Sequence, residues 1–401
     1  MIYKPNVFCK RYKITFLLFV ITPIIDTING LYILAHGATG LSIGTFYRIF
    51  LLFFVVCKSI NYKIILKQYI LLFSFILVGS LRGIVLGIFF NSLTYSVKWI
   101  LPLILIYYFT IACKNKHEIQ KCLTMCLDIW SWYVPFSLVV EYTFHIGYIA
   151  YHDAGFKGLY YSTNDIALVL IVLYIYILHK LFTKISIALL LQLTFTFIAI
   201  IILATKSSII FAVFSFFYYL LKKKEFHKKN VFILIILFLI GSIFIYGKMY
   251  HEINNLLGRY INMWKITSKD SIFKHFMSFA TSGRTDRIHS YFQLINNDNS
   301  IFYNLLFGWI EPDNAHVIEM DFHDLLCQYG LIGFIIIIFE YLLLFKKYVK
   351  KSEPYWLITI VCFIYALLAG HVISGVLSGT IFSIVFSLLL LSHYDITITD
   401  K

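Results

Sequence analysis

Long apolar stretches recur along the whole chain and constrain its fold more than any other feature. The hydrocarbon core of a bilayer, about 30 Å thick, requires about 20 apolar residues per spanning helix. Only 13% of the 401 residues are charged, whereas soluble domains carry about 25%. We therefore predict an all-α integral membrane protein with about 12 transmembrane helices, and re-entrant segments are the alternative for one or two of the shortest. This pattern excludes a soluble enzyme with a single anchor. The predicted spans are 14–34, 43–57, 67–90, 96–112, 122–145, 164–179, 185–203, 207–221, 231–247, 324–345, 355–372 and 375–392.

Basic residues concentrate in alternate gaps between these stretches. Runs such as Lys222–Lys224 lie in the odd-numbered gaps, counting the N-terminus as the first, whereas the even short gaps carry only Lys157 and Lys206. Because cytoplasmic loops are enriched in Lys and Arg, both chain ends are predicted to be cytoplasmic. The formal charge of +14 is thus typical of membrane-protein loops, and we expect no nucleic-acid partner.

The predicted organisation has three parts. Residues 1–247 form transmembrane helices 1–9, and residues 324–401 form helices 10–12 with a cytoplasmic tail. The long polar segment 248–323 between helices 9 and 10 faces outside. Loops longer than about 15 residues are usually functional or disordered. A predicted amphipathic helix near 285–296 and the apolar run 301–309 indicate that this loop folds, and we expect it to cap an outer cavity.

Cationic side chains on the predicted outer face indicate an anionic ligand. Guanidinium groups match phosphate oxygens well, so a lipid-linked phosphate or pyrophosphate is the simplest substrate. Arg82 lies inside a predicted helix, where an arginine is either functional or bonded to a carbonyl, and both alternatives stay open. For Lys157 an ordinary solvated position is the alternative. His316, Glu319 and His323 have a spacing that could hold a divalent cation on one helix face, but they match no fixed zinc motif and we expect no metal.

Several short motifs follow one another along the chain on the predicted outer side. They are Gly158 to Asp165, Thr205-Lys206-Ser207-Ser208, Ser282-Gly283-Arg284, Gly308-Trp309-Ile310, Glu319-Met320-Asp321-Phe322-His323 and Gly330-Leu331-Ile332-Gly333. Together they resemble the superfamily of O-antigen polymerases (Wzy type) and O-antigen ligases. Ligases usually carry a His-Asn pair where this chain has Glu319-Met320. The resemblance therefore favours a polymerase.

This resemblance implies a glycosyltransferase of the bacterial inner membrane that joins undecaprenyl-pyrophosphate-linked repeat units on the periplasmic face. Donor and acceptor would both be lipid-linked glycans, a chain-length regulator would be a further partner, and the chemistry would need neither a metal nor another cofactor. An O-antigen ligase and a lipid-linked oligosaccharide flippase are the alternatives. The resemblance implies Arg284 as the main pyrophosphate ligand, assisted by Lys206, Arg287 and Arg82. Three further residues would also bind substrate: Lys157, His316 and His323. The base would be Glu319 or Asp321, and His316 or His323 is the alternative for that role.

Structural roles that involve no substrate are the alternatives for two parts of this set. Arg284 could form a loop salt bridge to Asp286 or Glu311. Glu319 and Asp321 could serve only as acidic residues at a helix N-terminus, where each stabilises the helix dipole by about 0.3–1 kcal/mol.

Overall fold

Helices make up nearly all of the regular structure. The computed structural model describes residues 12–37, 42–60, 62–151, 154–222, 250, 254, 257–258, 261–262, 264–265, 272–296, 301–312, 317–348 and 352–399. The elements are α1 (Lys13–His36), α2 (Ile43–Ser59), α3 (Lys63–Val85), α4 (Phe89–Tyr107), a π-helical segment (Tyr108–Ala112), α5 (Lys116–Thr143), β1 (Tyr148–Tyr151), β2 (Ala154–Gly158), α6 (Thr163–Thr183), α7 (Ile187–Leu203), α8 (Lys206–Lys222), α9 (Ile272–Ala280), α10 (Arg284–Asn296), α11 (Ile301–Phe307), α12 (Asp321–Tyr348), α13 (Tyr355–Leu368) and α14 (Leu377–Thr399).

Among the described residues, six helices are long and apolar enough to cross a membrane: Lys13–His36, Ile65–Val85, Phe89–Ala112, Lys116–Thr143, Thr163–Thr183 and Asp321–Lys346. Helix α3 illustrates why lipid is their environment. Leu72 and Phe75 are buried, whereas Ile70, Leu77 and Ile84, each one heptad apart, are well exposed. A helix that presents large apolar side chains outward on one face suits hydrocarbon and not water. The chain is therefore an all-α, membrane-embedded protein.

Helices occur at every predicted span except 231–247, which lies outside the described residues. Several of them are shorter than a full crossing, among them Ile187–Leu203 and Tyr355–Leu368. The count of about twelve crossings, with its orientation, therefore stays a prediction. The predicted helix near 285–296 is confirmed as α10, and the apolar run after 300 forms α11.

Several predicted boundaries are wrong. The span 67–90 runs past Val85, where α3 ends, and into α4, which begins at Phe89. The span 355–372 ends as a helix at Leu368, because the chain turns at Gly370 and His371, both with positive φ. Helix α12 begins at Asp321 and not at 324, so the last three residues of the predicted loop 248–323 are helical. Asp321 and His323 are consequently helix residues.

The chain divides into two compact units. The first comprises Met1–Phe46, Lys121–Asn262 and Glu353–Val361. In it α6 is the central helix, buried from Ile166 to Leu178. The Trp130 indole donates to the Phe19 carbonyl (3.1 Å) and joins α5 to α1. The short antiparallel hairpin β1–β2 lies between α5 and α6.

The second unit comprises Tyr47–Gln120, Met263–Ser352 and Cys362–Lys401. Helices α3 and α4 pack closely, because Gly79 and Gly83 leave room for the serines of α4. The Ser92 hydroxyl donates to the Gly79 carbonyl at 2.6 Å. Helices α12 and α14 pack against α4, and α14 is buried over most of its length. The short helices α9, α10 and α11 belong to this unit and lead into α12.

Candidate functional site

The Ser282-Gly283-Arg284 motif is a sharp turn between α9 and α10. Ser282 (φ 56°) and Gly283 (φ 80°) are both in the left-handed region, and the Gly283 amide donates to the Ser278 carbonyl at 2.8 Å. This bond pattern closes the C-terminus of α9 and lets α10 begin at once. A side chain at Gly283 would have open space, so the turn needs glycine for its φ. Arg284 is thereby fixed as the first residue of α10.

Arg284 forms a short ion pair with Glu319, with Nη2 and Oε2 2.6 Å apart. Its Nη1 donates to the Thr281 carbonyl at 3.2 Å, while its buried Nε has no hydrogen-bond partner among the described residues. Only 11% of the arginine side chain is exposed, against 37% of the glutamate. The guanidinium is therefore a largely buried cation whose Nε is still available to an acceptor. The predicted salt-bridge partners were Asp286 and Glu311, whereas the ion pair observed is with Glu319. The Asp286 carboxylate accepts from the Ser278 hydroxyl at 3.0 Å.

Positive charge surrounds the Glu319 carboxylate. Burial raises the pKa of Glu319, but Arg284, His371 and Arg287 together lower that pKa below its ordinary value. Arg287 also extends one guanidinium nitrogen to the Val317 carbonyl at 3.4 Å. Glu319 is thus held in its ionised form, and the site is cationic around a single partly exposed acid.

Glu319 lies on a strained and well-anchored loop. Its φ of 69° is in the left-handed region, which is uncommon for a residue other than glycine. The Asp324 carboxylate accepts from the amides of Ile318 (2.7 Å) and Met320 (3.0 Å), on either side of Glu319. Both apolar neighbours pack into a small cluster with Ile310. Such strain persists only where the surroundings impose it, and it concentrates at functional sites.

Asp321 has no exposed surface, and both of its oxygens are occupied. It accepts from the amides of His371 (2.9 Å), Val372 (2.7 Å) and Ile373 (2.9 Å) and from the Ser374 hydroxyl (2.7 Å). These four hydrogen bonds hold the turn after α13 against the start of α12. The geometry suits a positioning role better than proton transfer with a substrate.

The bond from its amide to Asp321 places His371 beside the site, although the sequence did not indicate this residue as a candidate. A Cβ on Gly370 would lie 2.3 Å from the Glu319 carbonyl, so the two backbones touch. His371 itself has a φ of 59°, and its charge contributes to the lowered pKa of Glu319. The signal available in the sequence was a histidine at the predicted outer end of the span 355–372, beside the polar loop.

Arg82 binds backbone carbonyls at a break in α12. Gly330 has a φ of 63°, so the helical hydrogen bonds stop there. The Cys327 carbonyl instead accepts from the amides of Trp309 (2.9 Å) and Ile310 (3.1 Å). Arg82 donates to the Gln328 carbonyl and, at 3.0 Å, to that of Ile310. Of the two alternatives open for this arginine, the carbonyl-bonded geometry is the one observed.

Four further candidates are Lys206, Lys157, His323 and His316. Lys206 begins α8 and Lys157 lies on β2, both in the first unit. Burial lowers the pKa of Lys157, whose amine donates to the Tyr161 carbonyl at 2.7 Å. His323 is in the first turn of α12, and its buried Nδ1 has no partner among the described residues. His316 lies outside them.

Within the described part of the chain, no three His, Cys, Asp or Glu side chains are grouped to hold a metal ion. No protein-family model, curated protein or solved structure matches the sequence or the fold. The class that the fold and site define is thus a membrane-embedded helical protein with a buried arginine and a strained glutamate just ahead of a membrane helix.

Proposed function

We propose that this protein polymerises lipid-linked oligosaccharide repeat units into O-antigen or a related surface polysaccharide. In this proposal about 12 helices span the bacterial inner membrane, both termini are cytoplasmic, and the segment 248–323 faces the periplasm. Donor and acceptor are glycans on undecaprenyl pyrophosphate. The proposal rests on the motif resemblance together with one structural observation, the Arg284–Glu319 pair.

The position of this pair supports a lipid-linked anion as the ligand. Glu319 lies two residues ahead of Asp321, the first residue of a membrane-spanning helix. In this proposal the pair lies near the membrane interface, where a polyprenyl chain in the hydrocarbon would hold its charged pyrophosphate group. Arg284 is largely buried and has a spare Nε donor. A guanidinium with two adjacent donors can bind two phosphate oxygens at once.

The proposed reaction is a direct glycosyl transfer. The acceptor hydroxyl oxygen attacks the anomeric carbon of the donor glycan, and the bond from that carbon to the pyrophosphate oxygen breaks. The electron pair leaves with the lipid pyrophosphate, whose charge Arg284 and Arg287 stabilise. Glu319 takes the proton of the acceptor hydroxyl. Asp321 and Arg82 hold the backbone around these groups and do not touch the substrate.

Complementation of a strain deleted for this gene tests the proposal, with surface polysaccharide displayed on a gel. We expect the wild type to restore a ladder of chain lengths. Arg284→Ala should give only a single repeat unit capped on the lipid core. Lys274→Ala is the matched control, because it removes an exposed cation from the neighbouring helix α9. Membrane levels of all variants are compared by immunoblot.

Other outcomes identify the alternatives. Loss of every capped species with accumulation of long lipid-linked chains would indicate a ligase. Accumulation of lipid-linked units on the cytoplasmic side would indicate a flippase, and the assignment of Arg284 to glycosyl transfer would fall with it.

A further inference from the structure

We infer that Glu319 occupies the anion site of Arg284 while the protein is ligand-free, and that a diphosphate group displaces it. The inference rests on the proposed function for the identity of the anion. Beyond the proposed function, the Glu319 carboxylate and the diphosphate compete for the same guanidinium, so the ligand binds by exchange of one anion for another.

The first observation is the asymmetry of the pair. Arg284 is the buried partner and is fixed by the turn before α10, whereas Glu319 is the more exposed partner. When an ion pair is opened by a competing anion, the exposed acid leaves at lower cost, because its carboxylate regains water. The arginine stays in place and keeps its donors directed at the same point.

The second observation is that the contact is incomplete. A single glutamate oxygen meets Nη2, while the adjacent Nε of Arg284 is buried and has no partner among the described residues. A buried donor without an acceptor destabilises the ligand-free site. A diphosphate oxygen on each of Nε and Nη2 would satisfy both donors, which Glu319 does not.

The third observation concerns the other carboxylates nearby. Asp321 and Asp324 are buried and engaged by backbone amides, and Asp286 accepts from Ser278. Glu319 is the carboxylate that pairs with Arg284, and Arg287 and His371 add positive charge around it. Removal of the Glu319 charge therefore leaves a cationic site in which the Glu319 carboxylate no longer competes with an incoming anion.

The test is the sign of the change in anion affinity. The full-length protein in lipid nanodiscs is titrated calorimetrically with inorganic pyrophosphate, as wild type, Glu319→Gln and Arg284→Ala. Because a partly exposed pair is worth at most about 1 kcal/mol, we expect Glu319→Gln to bind about three- to five-fold more tightly. Arg284→Ala should abolish measurable binding. Weaker or unchanged binding by Glu319→Gln would overturn the inference.

Asp286→Asn is the matched control. It removes the same charge from the first turn of α10, where the carboxylate accepts a hydrogen bond from the Ser278 hydroxyl. An equal gain in this variant would show that net charge alone acts, and would overturn the inference. Glu319→Asp provides a second variant, because it keeps the charge and withdraws the carboxylate by one methylene. It should bind pyrophosphate more tightly than the wild type and less tightly than Glu319→Gln, and no gain would count against displacement.

Farnesyl pyrophosphate in the same titrations identifies the source of the diphosphate. A lipid-linked ligand predicts tighter binding of farnesyl pyrophosphate than of inorganic pyrophosphate, with the same gain in Glu319→Gln. Equal binding of both probes would contradict a lipid-linked ligand. The pyrophosphate titrations do not depend on polymerisation, so a failure of the proposed function in the complementation assay is distinguishable from a failure of anion exchange.

Discussion

Replacing Asp321 by Asn should release the turn after α13 without unfolding the rest of the protein. The carboxylate accepts four hydrogen bonds, from His371, Val372, Ile373 and Ser374. Asn keeps one acceptor oxygen and presents an amide NH₂ to the donors on the other side, so two bonds are lost. A hydrogen bond to a charged group is worth about 1.5–3 kcal/mol, which gives about 3–6 kcal/mol of local destabilisation. At about 1.4 kcal/mol per decade, amide exchange at 371–373 should become about 10²- to 10⁴-fold faster.

Hydrogen–deuterium exchange of the full-length protein in nanodiscs, read by mass spectrometry, measures this effect. Asp324→Asn is the control, because its carboxylate holds the amides of Ile318 and Met320. That variant should raise exchange at 318–320 and leave 371–373 protected. The reasoning is refuted if Asp321→Asn leaves 371–373 as protected as in the wild type, or if exchange rises equally throughout the chain.

Three further predictions concern the arginines and pH. Arg284→Lys should lose nearly as much surface polysaccharide as Arg284→Ala, because a lysine is a point charge and cannot offer two parallel donors; near-normal polysaccharide on the complementation gel would refute a bidentate contact. The affinity gain of Glu319→Gln over the wild type should be full at neutral pH and vanish as the pH falls through the lowered pKa of Glu319, which lies below the ordinary 4.5. Protonation neutralises the competing carboxylate, so the pyrophosphate affinities of the wild type and Glu319→Gln, titrated across pH, should become equal in acid. An affinity gain that persists in acid would argue against charge competition. Arg82→Ala should leave the Gln328 and Ile310 carbonyls without this donor, and so speed amide hydrogen exchange at 308–310 and lower the thermal stability. Pyrophosphate affinity, measured by calorimetry, should change less than two-fold. An affinity loss as large as that of Arg284→Ala would place Arg82 in the anion site.

The helices were predictable from sequence because a spanning helix is specified locally. An apolar run of the right length predicts α3 or α6 without reference to the rest of the chain. Helix α10 was predictable in the same way, since Arg287, Tyr291 and Leu294 recur at helical spacing.

The site was only partly predictable, because its contacts join residues distant in sequence. Arg284 was identified from its motif, but its partner Glu319 is 35 residues away, and sequence proposed Asp286 or Glu311 as salt-bridge partners. His371 enters the site through a bond to Asp321, 50 residues distant. The break at Gly330 depends on a positive φ and on the backbone of 306–310, neither of which a glycine in an apolar run reveals.

Chain growth in a reconstituted system tests the central claim most directly. Membrane vesicles from the deletion strain supply accumulated lipid-linked repeat units, and the purified protein is added as wild type or Arg284→Ala. The account predicts that the wild type converts these units into longer lipid-linked glycans and releases one undecaprenyl pyrophosphate per linkage formed, whereas Arg284→Ala does neither. Repeat units that stay unjoined in the presence of folded wild-type protein, or that merely change sides of the membrane, would contradict it.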